Sequence, residues 1–373
     1  MTPATSAEIR KIICRRSAAL GVPVSGIFEL TPRCNLRCKM CYVRLTPEQM
    51  VPLGRELSAG EWIALAQDAK KAGLMFLLIT GGEPTLRPDF SEIYEALATM
   101  GFSITINTNG TLLTDELKAL FHRLPPSQVN VTLYGTCPGD YEALCGDGSA
   151  FHRVEDALRW LKQENILIHL NCTVTPDNVH HFHQLEDYAK AMELDLRVTA
   201  YCLPPSRREE CSTCDGFRRL SAEEAGALLV EDILLREGPE GIRHRAEHLS
   251  EPPQADCDLM VGDTISCMAG RSQFWMSWNG VMSPCGMFTN PHSLPLEQGF
   301  DAAWADLREQ TDAIRLCPEC KACPEKETCM NCAAVTFTET GSFSGKPEYM
   351  CRLNRTYREK LKAMQHQQEG SYL

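Results

Sequence analysis

Short apolar segments alternate with helical patterns through the first two thirds of the chain. These segments are rich in Ile, Leu and Val, as are parallel strands that are buried on both faces of a sheet. The predicted strands lie at residues 26–30, 74–80, 102–107, 129–134, 166–174 and 194–201. Consecutive parallel strands require right-handed helical crossovers, so these repeats predict an α/β fold with a partial (β/α)6 barrel.

Helix start and stop signals occupy the segments between these strands. Ser58 and Glu61 match a capping box, and Gly73 is a C-terminal stop signal. Thr114 begins the next predicted helix, which ends before Pro125. Further helices are predicted at 151–162, at 182–192 and after Ser221.

The pattern changes near residue 204. The following segment is charged and mostly helical, whereas the stretch from Cys267 to Cys351 is dense in cysteine and turn residues, with little helical periodicity. That stretch cannot easily build an apolar core of its own, so metal sites are expected to stabilise its fold. The predicted units are an N-terminal extension (1–25), the barrel (26–204), a helical connecting segment (205–256), a cysteine-rich module (257–352) and a helical tail (353–373).

Charge and hydropathy exclude several classes of partner. The formal net charge is −12 and the isoelectric point is near 5.4, which argues against nucleic acid or an anionic membrane as the main partner. The longest apolar run is far shorter than the roughly 18 residues of a membrane-spanning helix. The N-terminus lacks the features of a signal peptide, so a cytoplasmic location is expected. In that reducing compartment, the 19 cysteines indicate metal binding or catalysis rather than disulfides.

Three of these cysteines directly follow the first predicted strand. Cys34, Cys38 and Cys41 can bind a four-iron cluster and leave one iron without a protein ligand. An open metal position is a place for a cofactor or a substrate. A zinc site, or a cluster completed by a distant fourth cysteine, is the alternative. The loop leaves the carboxyl end of a strand, where barrel enzymes place their active sites.

The Cys-x3-Cys-x2-Cys spacing resembles the signature of the radical S-adenosylmethionine (SAM) superfamily. The residue before the last cysteine is often aromatic in that family, and here it is Met40. A glycine-rich motif at 80–84 follows the second predicted strand, as it does in the family. The resemblance implies that Gly81, Gly82 and Glu83 bind the amino group of SAM. It also implies SAM contacts near Asn109, Thr132 and Asn171, although structural hydrogen bonds explain these three residues equally well.

The resemblance implies a defined chemistry. SAM would bind the open iron, and one electron from the reduced cluster would cleave it to a 5′-deoxyadenosyl radical that abstracts hydrogen from the substrate. A one-electron donor such as flavodoxin or ferredoxin is then an expected partner. The sequence names no catalytic acid, base or hydrogen-atom donor.

The C-terminal cysteines resemble the SPASM domain, an extension of radical SAM enzymes that usually holds two auxiliary four-iron clusters. The resemblance implies that the first cluster is bound by Cys267, Cys285 and Cys332, and the second by Cys320, Cys323, Cys329 and Cys351. Cys257 is the preferred fourth ligand of the first cluster, and an open iron that binds substrate is the other option. Cys317 is supernumerary. A zinc ribbon at 320–332 is the structural alternative.

The resemblance also limits the substrate class. The leading hypothesis is maturation of a ribosomally made peptide (RiPP) by a thioether, a carbon–carbon crosslink or epimerisation. The alternatives are an anaerobic sulfatase-maturing (formylglycine-generating) enzyme, a small-molecule radical SAM dehydrogenase, and a non-catalytic iron–sulfur or zinc redox sensor. Few residues precede the first predicted strand, so in a peptide maturase of this kind leader binding is expected to need a separate leader-peptide-binding protein, the barrel mouth or the 205–256 segment.

Several other residues are interpreted as structural. Cys211 and Cys214 form a lone pair without an assigned role, and Cys145 is expected to be incidental. The histidines within 180–183 are expected on a solvated surface. Trp275 alternates with apolar neighbours before Asn-Gly, which predicts a hairpin with packed aromatic side chains.

Overall fold

The computed structural model describes residues 6–203, 218–249, 265 and 267–370. Six parallel strands follow one another across a sheet in chain order. They are β1 (Ser25–Glu29), β2 (Phe76–Thr80), β3 (Ser103–Thr108), β4 (Gln128–Thr132), β5 (Ile168–Thr173) and β6 (Asp195–Thr199). Each overlaps its predicted strand, which confirms the α/β fold and the parallel barrel-like sheet.

The sheet continues beyond β1 into the C-terminal module. Strand β7 (Gln273–Met276) pairs in parallel with β1, and β8 (Met282–Ser283) pairs antiparallel with β7. The strand order is therefore β6-β5-β4-β3-β2-β1-β7-β8. The predicted hairpin is confirmed, but its pairing with β1 was not predicted. Because β7 adds to the edge of the barrel sheet, part of the cysteine-rich module is built directly onto the barrel.

Helices cross over between the strands and also follow them. Helix α1 (Ser6–Leu20) precedes β1, and the helices between the strands of the barrel are α2 (Pro47–Met50), α3 (Ala59–Ala72), α4 (Phe90–Thr99), α5 (Asp115–Arg123), α6 (Pro138–Cys145), α7 (Ala150–Gln163) and α8 (Phe182–Ala191). After the barrel they are α9 (Ala222–His248), α10 (Pro295–Gln298), α11 (Phe300–Asp312), α12 (Pro318–Ala322), α13 (Ala333–Thr340) and α14 (Glu348–Gly370). None of the described helices is long and apolar enough to cross a membrane.

The predicted helix signals act as caps. The Ser58 hydroxyl accepts from the Glu61 N–H while the Glu61 carboxylate accepts from the Ser58 N–H, and Gly73 ends α3 in the left-handed conformation. Thr114 caps α5 through the N–H of Leu117. These caps satisfy backbone groups that the first and last turns of a helix leave without intrahelical partners.

Aromatic side chains fill the space between sheet and helices. Trp62 of α3 and Phe28 of β1 are both completely buried, with ring centroids 5.0 Å apart. Phe274 of β7 lies 6.3 Å from Phe28, so the added strand shares the barrel core. Burial of each such side chain contributes about 1.5–3 kcal/mol to the stability of the fold.

The expectation of little helical periodicity in the C-terminal region was wrong. The stretch after residue 267 contains α11, whose buried residues Phe300, Trp304 and Leu307 belong to the main core. These residues are spaced three and four positions apart, so the sequence does carry the periodicity of a helix with one apolar face. The tail was expected as a polar surface helix from about residue 353, but α14 begins at Glu348 and packs along α9. It buries Met350, Leu353 and Leu361.

Candidate active site

One cavity of about 390 Å³ opens at the carboxyl ends of the barrel strands. The cluster-loop cysteines Cys34, Cys38 and Cys41 line one side of it. The strand ends supply a neutral polar wall, made of Thr80, Gly81, Gly82, Asn107, Thr108, Asn109, Thr132, Asn171, Thr173 and Thr199. The volume lies within the range of cavities that bind one small organic molecule. Of the residues that the resemblance assigned to SAM, all except Glu83 line this cavity.

The three cluster-loop thiols lie close together. Cys34 Sγ accepts the N–H of Leu36 at 3.4 Å, and Cys41 Sγ accepts the N–H of Arg44 at 3.3 Å. Burial raises the pKa of Cys34 to about 12, aided by the charges of neighbouring Glu83, Cys38 and Cys41 and opposed by the hydrogen bond from the N–H of Leu36. Backbone N–H groups that point at sulfur favour the thiolate, and metal binding to these thiols would release their protons.

The C-terminal turn of α6 holds the middle of the cluster loop. The N–H groups of Arg37 and Lys39 donate to the carbonyl oxygens of Cys145 and Leu144 at 2.9 and 3.2 Å. A hydrogen bond from the buried Cys145 thiol lowers the pKa of Cys38. The structure therefore places Cys145 against a cluster-loop cysteine. No pattern in the sequence links the two residues.

The glycine pair packs on the chain that leads into Cys34. The N–H of Gly82 donates to the Thr31 carbonyl at 2.7 Å. A Cβ on Gly82 would lie 2.4 Å from the Arg33 carbonyl oxygen, and a Cβ on Gly81 would lie 2.5 Å from that of Thr31. Glycine is required at both positions because two backbones approach each other too closely for any side chain.

Glu83 lies behind the cavity wall. Its side chain is completely buried and accepts hydrogen bonds from Thr85 Oγ1 at 2.6 Å, Thr108 Oγ1 at 2.8 Å and the N–H of Asn109 at 2.7 Å. Burial raises its pKa, while these hydrogen bonds lower it. In this geometry the carboxylate anchors the end of β3 beside the cavity.

The other polar residues assigned to SAM occupy adjacent strands. Thr132 and Asn171 are register partners on β4 and β5, and both line the cavity. Asn109 Nδ2 donates to Asn35 Oδ1 at 2.9 Å and to Cys34 Sγ at 3.7 Å. Asn109 thus connects the polar wall to the cluster loop.

The C-terminal cysteines fall into two groups. Cys320, Cys323, Cys329 and Cys351 interact electrostatically through their thiols. Burial raises the pKa of Cys320 to about 12, helped by a hydrogen bond with the buried Cys317. Cys267 and Cys332 interact in the second group, while Cys285 packs against the small apolar cluster that contains Ala333. Cys257, Cys211 and Cys214 lie outside the described residues.

The far wall of the cavity faces this module. Tyr201, Cys202, Leu203 and Met287 contribute to it. Burial raises the pKa of Tyr201, as does the nearby Cys332 thiol. These lining residues could not be predicted from the sequence, because only the folded chain brings Met287 to the end of β6.

Other ionisable residues have structural partners. His181 Nδ1 lies 2.7 Å from Oδ1 of the buried Asp140, whereas His183 is mostly exposed beside Glu231. The described ranges contain no three His, Cys, Asp or Glu side chains close enough to share one metal ion.

The profile of the Radical SAM superfamily matches residues 28–189. This range contains the cysteine motif and the glycine-rich motif, together with strands β2–β5. The chain therefore contains a segment, with both motifs in it, that is similar to the radical SAM superfamily.

Named relatives match this chain over most of its length. It is 26% identical over 338 residues to the AdoMet-dependent heme synthase of Methanosarcina barkeri. The matched region covers 86% of this chain and 94% of the relative. It is 25% identical over 335 residues to the protein of the same name from Oleidesulfovibrio alaskensis, with 84% of each chain covered.

Solved structures share the fold of this chain. Streptococcus suis SuiB bound to precursor peptide SuiA has a TM-score of 0.68 at 17% identity, with 92% of this chain and 80% of SuiB covered. Native anSMEcpe with bound AdoMet has a TM-score of 0.69 at 16% identity, with 92% and 99% covered. The architecture is thus a partial barrel of the radical SAM type followed by a cysteine-rich C-terminal domain.

Proposed function

We propose that this radical SAM enzyme abstracts a hydrogen atom from a peptide substrate. The observation that carries the proposal is the single cavity in which the cluster-loop cysteines, the glycine pair and the neutral polar wall meet. When bound, a four-iron cluster and SAM supply a 5′-deoxyadenosyl radical there.

The residues present fit both groups. Cys34, Cys38 and Cys41 would hold the cluster, because their thiols neighbour one another and two of them accept backbone N–H groups. Gly81 and Gly82 leave their backbone open to the cavity for the amino group of SAM. The hydroxyl and amide groups of Asn109, Thr132 and Asn171 would bind the polar parts of SAM.

The walls of the cavity suit an uncharged substrate segment. Among the described residues that line it, none is Lys, Arg, His, Asp or Glu. A peptide backbone needs hydrogen-bond partners but no counter-ion, and Asn107, Thr173 and Thr199, which are not assigned to SAM, offer such partners in the same wall. SuiB and anSMEcpe, whose folds are similar, have been solved with the peptides SuiA and Cp18Cys.

The C-terminal cysteines would hold two auxiliary four-iron clusters. Cys267, Cys285 and Cys332 are the proposed ligands of the first, with Cys257 as the fourth, and Cys320, Cys323, Cys329 and Cys351 are those of the second. The mutual electrostatic contacts of the latter group support its assignment. Flavodoxin or ferredoxin is the proposed one-electron donor.

A second candidate substrate is a tetrapyrrole. It is favoured by the heme synthases, which match this chain over 84–86% of its length. Heme carries carboxylate side chains, which cationic residues usually bind. The described lining of the cavity supplies none, so we rank the tetrapyrrole second.

Anaerobic reconstitution tests the radical chemistry. Three four-iron clusters correspond to about twelve irons per chain, and reduction with SAM present should release 5′-deoxyadenosine. Cys34→Ala should lose about four irons and all 5′-deoxyadenosine. Cluster binding without SAM cleavage in the unchanged protein would contradict the proposal.

Deuterium transfer distinguishes the substrates. Perdeuterated synthetic peptides and a deuterated iron porphyrin are supplied separately to the reduced enzyme. Deuterium in 5′-deoxyadenosine from the peptides, accompanied by a mass change in a peptide, supports the proposal. Transfer from the porphyrin alone overturns the peptide substrate and favours the second candidate.

A further inference from the structure

The loop that carries Cys34, Cys38 and Cys41 has a basic outer face, formed by Arg37 and Lys39. We propose that this outer face docks a small acidic electron-carrier protein of the flavin or iron–sulfur type. The inference rests on the proposed function for one point, namely that a cluster on this loop has to be reduced. The donor loses one electron and the oxidised cluster gains it, and no bond is made or broken.

Successive residues of the cluster loop face two different sides. Every second residue lines the large cavity at the carboxyl ends of the strands, and these residues are Cys34, Leu36, Cys38 and Met40. Arg37 and Lys39 stand between them in the sequence, are exposed to solvent and do not belong to the cavity lining. The outer face therefore lies directly behind the thiols proposed to hold the cluster. A partner bound there would not enter the cavity.

The cluster loop is a basic segment in an acidic chain. Residues 30–47 contain no Asp or Glu, whereas the chain as a whole carries a formal net charge of −12. The cations of this segment are Arg33, Arg37, Lys39 and Arg44. Arg33 pairs with Glu56 at 2.7 Å, so its charge is neutralised locally. An acidic protein is repelled by the molecule as a whole and attracted by the remaining cations, which directs its docking to this loop.

Neighbouring carboxylates neutralise only part of the charge on the outer face. Lys39 Nζ lies 3.1 Å from Asp177 Oδ1, and Arg218 Nη1 lies 3.6 Å from the same oxygen. One carboxylate thus serves two cations. Among the described residues, no carboxylate pairs with the exposed guanidinium of Arg37. The outer face consequently keeps an excess of positive charge for an acidic partner.

The backbone of the outer face is held in a fixed position. The N–H groups of Arg37 and Lys39 donate to carbonyl oxygens at the end of α6 at 2.9 and 3.2 Å. A surface that is already ordered loses little conformational entropy when a partner binds. Both residues flank Cys38, and electron transfer slows steeply with distance. A donor on the outer face would therefore deliver its electron next to a cluster thiol, while the substrate uses the cavity on the other side.

Reduction of the reconstituted full-length enzyme tests this docking without substrate. The reductants are flavodoxin hydroquinone and photoreduced 5-deazariboflavin, which is small and carries no net charge. Freeze-quench electron paramagnetic resonance follows the one cluster signal that is absent from Cys34→Ala. We expect the rate with flavodoxin to fall at least about tenfold between about 0.01 and about 1 M salt, because salt screens the attraction. The rate with deazariboflavin should not change, and a flavodoxin rate that is independent of salt would overturn the proposal.

Charge reversal locates the docking face. At low salt, Arg37→Glu should slow reduction by flavodoxin at least about tenfold and leave reduction by deazariboflavin unchanged. Arg37→Gln removes one charge without adding another, so its rate should be intermediate. Lys71→Glu makes the same reversal on the exposed surface of α3 and should change neither rate. Iron content checks that each variant holds its clusters, and if Arg37→Glu does not, Arg37→Gln and Lys39→Gln decide.

Three results would contradict the docking. Unchanged flavodoxin rates in every variant that holds its clusters would place the donor elsewhere. Equal slowing with both reductants would mean that Arg37 acts on the cluster and not on a partner. If a porphyrin tetracarboxylate binds to the unchanged enzyme but not to Arg37→Glu, and flavodoxin reduces both equally, the outer face binds an anionic substrate. Release of 5′-deoxyadenosine is measured separately, so a reduced cluster that does not cleave SAM refutes the proposed function and leaves the docking result valid.

Discussion

The backbone N–H of Glu83 donates to the carbonyl oxygen of Arg33 at 2.9 Å. This bond joins the glycine-rich turn after β2 to the residue that precedes Cys34. The bond from the N–H of Gly82 to the carbonyl oxygen of Thr31 joins the same two segments. The turn proposed to bind SAM and the loop proposed to bind the cluster therefore form one unit, and displacement of one would displace the other.

Gly82→Ala should disrupt both motifs. The added methyl group would meet the carbonyl oxygens of Arg33 and Pro32 at 2.4 and 2.8 Å, and backbone cannot move aside cheaply. We expect the variant to fold, to lose about four irons per chain, and to release no 5′-deoxyadenosine. Iron analysis and chromatography of the reduced reaction measure both effects.

Gly60→Ala is the matched control. Gly60 lies in the first turn of α3, and a Cβ there meets no atom within 4 Å. Alanine is favoured over glycine in a helix by about 0.5–1 kcal/mol. The control should therefore be as active as the unchanged enzyme and equally or more stable. Equal iron content in the two variants would show that the close approach at Gly82 is unimportant.

Local signals made the barrel predictable. In the structure α3 begins at the capping box of Ser58 and ends at the C-terminal stop signal Gly73, as the sequence indicated. Short apolar segments identified β1–β6, because parallel strands are buried on both faces and leave a continuous apolar signature. The cysteine motif and the glycine-rich motif are also local sequence signals, and residues of both motifs line one cavity.

Long-range pairing could not be derived from the sequence. The hydrogen bond from Trp275 to Glu29 joins residues 246 positions apart. The pairing of β7 with β1 joins the same two distant parts of the chain. The contact of Cys145 with Cys38 has the same character, because it depends on how α6 docks on the loop. The two auxiliary groups of cysteines were sorted by resemblance alone, since periodicity says nothing about which thiols meet.

Cys145→Ala should lower the reduction potential of the cluster proposed at Cys34, Cys38 and Cys41. The Cys145 thiol is 1% exposed and hydrogen-bonded to Cys38. Hydrogen bonds to cluster sulfur stabilise the added electron and raise the potential. Loss of a hydrogen bond that contributes about 1 kcal/mol should lower the reduction potential of a one-electron couple by roughly 40 mV. A redox titration followed by electron paramagnetic resonance measures the change.

Cys172→Ala is the comparison for the same measurement. Cys172 is also 1% exposed but belongs to β5, away from the cluster loop. Its loss should leave a cavity that lowers stability while the potential stays the same. Equal potentials in both variants would mean that Cys145 has no influence on the cluster.

Glu186→Gln should change how stability depends on pH. Glu186 of α8 is 2% exposed. Burial, aided by the neighbouring Asp232 charge and opposed by Arg236 and Lys190, raises its pKa from 4.5 to about 7. Because the folded-state pKa lies above the unfolded value, this carboxyl group favours folding below pH 4.5, and that stability is lost as the pH rises to about 7.

A shift of that size corresponds to roughly 3 kcal/mol at pH values above both pKa values. The glutamine variant should therefore be more stable than the unchanged protein at pH 8, and its stability should vary less between pH 5 and 7. Urea unfolding at several pH values measures both differences. A pH profile that is identical in the two proteins would contradict the assignment to Glu186.

Gly226→Ala should separate α9 from α14 and thereby affect the C-terminal cysteines. A Cβ on Gly226 would lie 2.6 Å from the carbonyl oxygen of Leu353, two residues after Cys351. Overpacking of this kind costs about 1–3 kcal/mol, which exceeds the gain in helix propensity. We expect a lower unfolding temperature and loss of about four irons from the cluster proposed at Cys351. Gly60→Ala makes the same chemical change in an open helical position, so it separates the packing effect from helix propensity. If both variants retain all their iron and melt together, the packing of α14 on α9 does not position Cys351.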